Sequence, residues 1–244
     1  MGQTYLFILF LVCICCVTTL RITRSFCPKD CNCFDRTVRC IHLNLESVPR
    51  NISNDVQLID LRYNQLEDIP PGVFSGLSHI TTIYLNDNSI RTLSEDAFAG
   101  GLINTKVIYL GSNKIEYIPV GSFQPLTNLK EIYLENNRIK EIRKGTFRNL
   151  LLLSHISLYN NKLSNIPDDF SYLSNLQSLQ LDSNPLRCDC SVHSLWWYYT
   201  QEISIFNNTR QNRTQVTLSC KSLHSGVKEL TELRVEDFNC DPTS

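Results

Sequence analysis

The chain has 244 residues, with 23 lysines and arginines against 24 aspartates and glutamates, a formal net charge of −1. That balance carries no electrostatic footprint for nucleic acid, so no nucleic-acid partner is expected. The length permits one or two domains, and the pattern along the chain has to decide between them.

Tyr5 to Val17 form an apolar run of the length of a signal-peptide core, too short to cross a bilayer. No Lys or Arg precedes it and no clean A-x-A site follows. Cleavage is placed between Leu20 and Ser25, and residues 1–24 are assigned as a signal peptide. Arg21 and Arg24 directly behind the run argue against a signal anchor. Of the 11 cysteines, Cys13, Cys15 and Cys16 lie in this run and leave with it. The remaining cysteines form two sets of four. An even count behind a secretory signal points to disulfides rather than a metal site, since no histidine stands at ligand spacing. Neither a metal nor a cofactor is expected.

Residues 26–54 hold the first set, Cys27, Cys31, Cys33 and Cys40, as CPKDCNCFDRTVRC. Asn51 in this segment opens an N-x-S sequon, the mark of a surface loop in a secreted chain.

Residues 55–184 repeat themselves. Asn64, Asn88, Asn113, Asn137, Asn161 and Asn184 are spaced 24, 25, 24, 24 and 23 residues apart, each at the end of one phrase, as in IYLENNRI. A period in this range marks a solenoid, and the phrase matches the L-x-x-L-x-L-x-x-N-x-L of the leucine-rich repeat. The residues five and three before each Asn are apolar: Ile59/Leu61, Ile83/Leu85, Ile108/Leu110, Ile132/Leu134, Ile156/Leu158 and Leu179/Leu181. Period-two alternation predicts a short strand buried on one face, and identical neighbours about 4.8 Å apart make a parallel sheet with a continuous core. The Asn amide is expected to bond backbone groups of its own turn. Phe74, Phe98, Phe123, Phe147 and Phe170 form a column expected to fill the outer side of the coil. An extra residue near Ala99 and Gly100 lengthens one repeat, and Thr105 takes a place where the others have an aliphatic.

With that register, the alternate positions face outward onto a concave sheet. Four before each Asn stand Asp60, Tyr84, Tyr109, Tyr133, Ser157 and Gln180. Two before stand Arg62, Asn86, Gly111, Glu135, Tyr159 and Asp182. Six before stand Leu58, Thr82, Val107, Glu131, His155 and Ser178. Tyrosines on three successive strands make an aromatic strip, and Tyr offers contact area with a polar tip at small entropic cost. Mutual cross-strand packing is a compatible structural role. Asp87, Glu131, Glu135 and Asp182 outnumber Arg62 around the strip, so a protein ligand with a basic and apolar contact surface is expected. The candidate ligand-binding residues are Asp60, Arg62, Tyr84, Asn86, Asp87, Tyr109, Glu131, Tyr133, Glu135, His155, Tyr159, Gln180 and Asp182. Lys114, Arg138 and Lys162, one residue after successive Asn positions, are a candidate edge for a sulfated cell-surface glycan. Glu116 and Glu141 partly neutralise them, and a solvated edge is the preferred reading.

Residues 185–241 hold the second cysteine set, Cys188, Cys190, Cys220 and Cys240, with a short predicted helix in SLWWYYT. The sequons at Asn207 and Asn212 lie in the polar stretch IFNNTRQNRTQVTLS between Cys190 and Cys220. Spacing alone allows three disulfide connectivities in each set.

Both cysteine sets resemble the flanking caps of extracellular leucine-rich repeat proteins, the group with Slit-, Nogo-receptor- and variable-lymphocyte-receptor-type domains. The resemblance runs from about Phe26 to Cys240. It implies the pairs Cys27–Cys33, Cys31–Cys40, Cys188–Cys220 and Cys190–Cys240, and a tryptophan, Trp196 or Trp197, packed under the last repeat. In variable lymphocyte receptors the region matching the polar stretch holds a loop over the concave face that touches antigen. Caps have a physical purpose, since end repeats otherwise leave apolar core and strand edges open to water.

The expected fold is therefore a leucine-rich repeat solenoid: an α/β horseshoe, mostly β, with a curved parallel sheet inside, irregular or short-helical turns outside, and two disulfide caps. None of the G-x-S-x-G, H-E-x-x-H, P-loop or dinucleotide motifs occurs, and the five histidines scatter over different repeats and both caps. The chain is expected not to be an enzyme. The expected role is extracellular recognition of a protein on the concave face, immune or receptor-type. The alternative is a structural or adhesive matrix protein held through edges or sulfated glycans. Ending at Ser244 without an apolar span, the chain is expected to be secreted, or an ectodomain if it is a piece of a longer protein. Oligomeric state is not specified.

Overall fold

The computed structural model describes residues 27–167, 170, 172–205, 215–222 and 226–238. The signal-peptide assignment, Cys240 and the sequons at Asn207 and Asn212 lie outside them.

Each repeat contributes one short strand to a nine-stranded sheet. Its parallel body runs Thr37–Arg39, Leu58–Asp60, Thr82–Tyr84, Val107–Tyr109, Glu131–Tyr133, His155–Ser157, Ser178–Gln180 and Gln215–Thr217. The register is unbroken, pairing Ile59 with Ile83, Ile83 with Ile108, Ile108 with Ile132, Ile132 with Ile156 and Ile156 with Leu179. These residues and their partners two further on, Leu61 to Leu181, are fully buried. A strand of three residues cannot hold itself together, so in-register stacking supplies both its hydrogen bonds and its core. On the opposite side, Asp68–Ile69 pairs with Thr92–Leu93 in a two-stranded ribbon.

Two ladders tie successive coils together. The phenylalanine rings stack with centroids 6.1, 5.7, 6.3 and 5.7 Å apart from Phe74 to Phe170, all buried. The asparagines do more than close their own turns. Asn137 Nδ2 donates to Leu134 O and, one repeat back, to Leu110 O, both at 3.0 Å, while its Oδ1 accepts from Ile115 N at 3.0 Å. Asn88, Asn113, Asn161 and Asn184 bridge in the same way. The residue before each Asn takes a left-handed backbone, with φ from 51 to 58° at Tyr63, Asp87, Ser112, Asn136, Asn160 and Ser183. The chain turns sharply there, and the following amide is swung inward. Thr105 is fully buried and donates its hydroxyl to Ile80 O at 3.3 Å, so the polar substitution in the core is satisfied.

The caps close both sheet ends. Asn32–Phe34 and Thr37–Arg39 form an antiparallel hairpin whose second strand pairs with Leu58–Asp60, and Cys27–Cys33 and Cys31–Cys40 lock it. At the far end Cys188–Cys220 joins the helix-bearing segment to the hairpin Ser219–Ser222 with Gly226–Glu229. Cys190 is also disulfide-bonded, and its implied partner Cys240 lies outside the described residues. The α-helix Cys190–Ile205 is longer than the motif predicts; Trp196 packs on the core beside Phe238, ring centroids 5.3 Å apart, whereas Trp197 is 51% exposed. One part of the polar stretch departs from the expectation of a loop. Gln215–Thr217 is a parallel strand that pairs with Ser178–Gln180 and covers the last repeat, with Leu218 buried.

Candidate binding face on the concave sheet

The alternation that buries Ile83, Ile108 and Ile132 turns the intervening residues to the opposite face of the sheet. Tyr84, Tyr109 and Tyr133 pair directly across neighbouring strands. Their rings stack with centroids 4.6 and 4.5 Å apart, and the imidazole of His155 continues the row 4.8 Å from Tyr133. At the other end the Arg62 guanidinium lies 4.9 Å over the Tyr84 ring. One continuous row thus spans five repeats, every member half-buried. Strand spacing sets the stacking distance, so aromatic and cation–π contacts arise with little reorganisation.

Burial, joined by the neighbouring Tyr84 and then by Glu131 and Glu135, pushes the Tyr109 phenol up. Burial and its bond to Glu131 push the Tyr133 phenol far up, and Tyr133 Oη donates to Glu131 Oε2 at 2.9 Å. The Tyr133 phenol therefore stays protonated and serves as the donor to Glu131. Burial also holds the His155 imidazole below its usual 6.5, against the opposing pull of Glu131 and Glu135. A lowered folded value means stability that is present above pH 6.5 and lost as pH falls through the folded pKa. Thermal midpoints followed from about pH 7.5 to about pH 5 should drop less in His155→Gln than in the unaltered chain. Equal slopes would contradict a neutral, partly buried His155.

Most of the sequence-nominated residues share this face, in differing states. Asp60 is the correction: nominated as open to ligand, it is 2% exposed, its carboxylate gripped by Arg62 Nε at 2.8 Å and Nη2 at 2.7 Å. Arg62 folds over its neighbour to reach Tyr84, so Asp60 holds the arginine in place, and that bond raises the guanidinium pKa. Asn86 Nδ2 donates to Asp87 Oδ2 at 2.6 Å. Gln180 accepts from Ser157 Oγ at 2.9 Å, which leaves Ser157 buried although it stands in the tyrosine column. Tyr159 is 43% exposed, and Asp182 is half-buried. Sequence reasoning passed over Gly111, whose missing side chain makes room for Glu135; a glycine in a column of bulky residues was the available signal. Off this face, Lys140 pairs with Glu116 and Arg143 with Glu141, and Lys114 Nζ donates to Ser89 Oγ at 3.1 Å. Asn51 is exposed at the rim of a cleft lined by Pro70, Pro71 and Val73. Among the described residues no helix is long and apolar enough to cross a membrane.

Comparison with known proteins agrees with this architecture. The family described as leucine rich repeat matches residues 54–101, 100–139 and 127–186, together more than half of the chain. Peroxidasin of Drosophila melanogaster is 48% identical over 61 residues, 25% of this chain and 4% of that protein. Leucine-rich repeat-containing protein 3 of Danio rerio is 30% identical over 129 residues, 51% of this chain and 47% of its own. Leucine-rich repeat-containing protein 3B of Homo sapiens is 30% identical over 105 residues, 42% and 40% of the two chains. The chain spans less than half the length of each of these relatives, and the short peroxidasin match carries no enzyme activity across. By its repeats, the chain belongs to the leucine-rich repeat family.

Proposed function

We propose that the chain is an extracellular recognition module that captures a protein on its concave face, through the tyrosine row and the acidic residues beside it. The repeat family and its relatives suggest a protein-interaction module, and the disulfides suit an oxidising compartment. The observation that carries the reading is the stack of Tyr84, Tyr109 and Tyr133: three half-exposed aromatics held rigid by one another. Rigid aromatics lose little entropy on binding, and such residues dominate interface energies. Glu131 and Glu135 beside the stack take part in none of the ion pairs among the described residues. A partner presenting cationic and apolar side chains therefore fits best. We assign the face to Arg62, Tyr84, Asn86, Asp87, Tyr109, Glu131, Tyr133, Glu135, His155, Tyr159, Gln180 and Asp182, with Asp60 as a support.

The secreted chain displayed on beads should capture a partner from cell surfaces or medium. A Tyr109→Ala/Tyr133→Ala double variant should bind that partner about a hundredfold or more weaker, at unchanged secretion. A Lys140→Ala/Arg143→Ala variant, off the tyrosine row, should retain binding. The opposite pattern would reject the concave face.

A further inference from the structure

Among the described residues two buried side-chain oxygens have no hydrogen-bond partner, Asn86 Oδ1 and Glu135 Oε2. They belong to the same outward column, in the repeats on either side of the one that carries Gly111. Glu135 lies over Gly111 so closely that a methyl group there would overlap its carboxylate, Oε1 first. The orientation of Asn86 is fixed as well. Its Nδ2 donates to the Asp87 carboxylate, which only accepts, so its Oδ1 has to face away from Asp87. The result is two partnerless acceptors in one outward column, one in the repeat before Gly111 and one in the repeat after it. The acidic influence of Glu135 reaches Tyr109, Tyr133 and His155, whose proton affinities it raises. Arg62, the cation of the row, is already committed to Asp60.

An acceptor shielded from water and left without a donor is unfavourable, and for a charged oxygen more so than for an amide. The unfavourable state ends when a donor enters. A hydroxyl or amide donor would answer one oxygen only and leave the carboxylate charge uncompensated. A guanidinium presents several N–H donors in a planar fork with a delocalised charge, which answers a carboxylate oxygen and an amide oxygen together. Its plane also suits the edge of a tyrosine stack whose faces are already occupied.

We propose that Asn86, Gly111 and Glu135 form a receiving subsite for an arginine side chain of the partner protein. This rests on the concave-face reading and adds to it the residue type the partner places at the centre of the contact. The glycine is part of the site, since it lets Glu135 lie down against the sheet with one oxygen held in reserve. The subsite selects against an uncharged isostere of the same shape, because the bond to Glu135 is charge-assisted.

The test uses the whole secreted chain, isotope-labelled, with Nα-acetyl-arginine amide as the probe in an amide NMR titration. Nα-acetyl-citrulline amide, of the same shape without charge, is the control. The Gly111 amide and the Asn86 side-chain amide should shift saturably with the arginine probe, at least about tenfold more weakly with citrulline. Glu135→Gln should lose the same factor, and Gly111→Ala should also weaken the response by displacing the carboxylate. Equal responses to both probes, no response, a response elsewhere, or an unaltered response in a folded Glu135→Gln would overturn the subsite. The titration needs neither the partner nor the Tyr109→Ala/Tyr133→Ala variant. Failure here with an intact tyrosine effect on capture removes the subsite alone; the reverse result removes the concave-face reading.

Discussion

Asn137→Asp is expected to destabilise the solenoid by about 3–5 kcal/mol at neutral pH, the scale of an uncompensated buried charge. Asn137 is 6% exposed, and its Nδ2 lies 3.0, 3.0 and 3.2 Å from the carbonyl oxygens of Leu110, Leu134 and Glu135. An aspartate oxygen in that place is an acceptor facing three acceptors, with water excluded. Asn137→Ala leaves the carbonyls and the Ile115 N–H without their partner but brings in no charge, and about 1–3 kcal/mol is expected. The two variants separate by pH. The carbonyl cage and burial raise the folded pKa of the new carboxyl above its unfolded value of about 3.9. Its neutral form is thus the tolerated one: the penalty is smallest below that pH and grows as pH rises through the folded value. Urea unfolding at about pH 4 and about pH 7 checks this, and coincident behaviour of the two variants would refute the ladder as drawn.

Phe123→Ala is the second large effect, about 3–5 kcal/mol for removing a fully buried ring. The ring touches its column on both sides, 5.7 Å from Phe98 and 6.3 Å from Phe147, whereas Phe74 has one column neighbour, Phe98 at 6.1 Å. In a solenoid, stability is close to a sum of repeat terms and nearest-neighbour interfaces. Removing Phe123 weakens two interfaces in the middle of the array and should split unfolding into separable halves. Phe74→Ala should cost less and leave one transition. Hydrogen exchange read repeat by repeat distinguishes these outcomes, and equal losses at both positions would contradict the additive picture.

The fold was legible because one rule recurs. Ile83, Ile108, Ile132 and Ile156 stand at a fixed offset from an asparagine, and a single phase assignment buries all of them. Given that phase, the alignment of Tyr84, Tyr109 and Tyr133 follows from period two alone. What sequence left unread depends on long side chains reaching sideways. Arg62 covers Asp60, Gln180 binds over Ser157, and Glu135 occupies the space above Gly111. Those contacts are set by rotamers, which alternation does not encode. The edge strand Gln215–Thr217 was missed for a different reason. Val216 and Leu218 carry the alternation of a repeat strand, but Lys221 stands where the others have asparagine, so the phrase that announces a strand is absent. The asparagine bridges to the preceding coil were likewise hidden, because sequence gives the repeat period and not the distance between coils.

Hydroxyl-radical footprinting of the tyrosines, with and without the captured partner, tests the concave face most directly. Tyr117 and Tyr172, 37% and 69% exposed and away from the stack, serve as internal references. On addition of the partner, Tyr84, Tyr109 and Tyr133 should become protected together while Tyr117 and Tyr172 keep their reactivity. Protection of the two reference tyrosines, with the stacked three unaltered, would contradict the account.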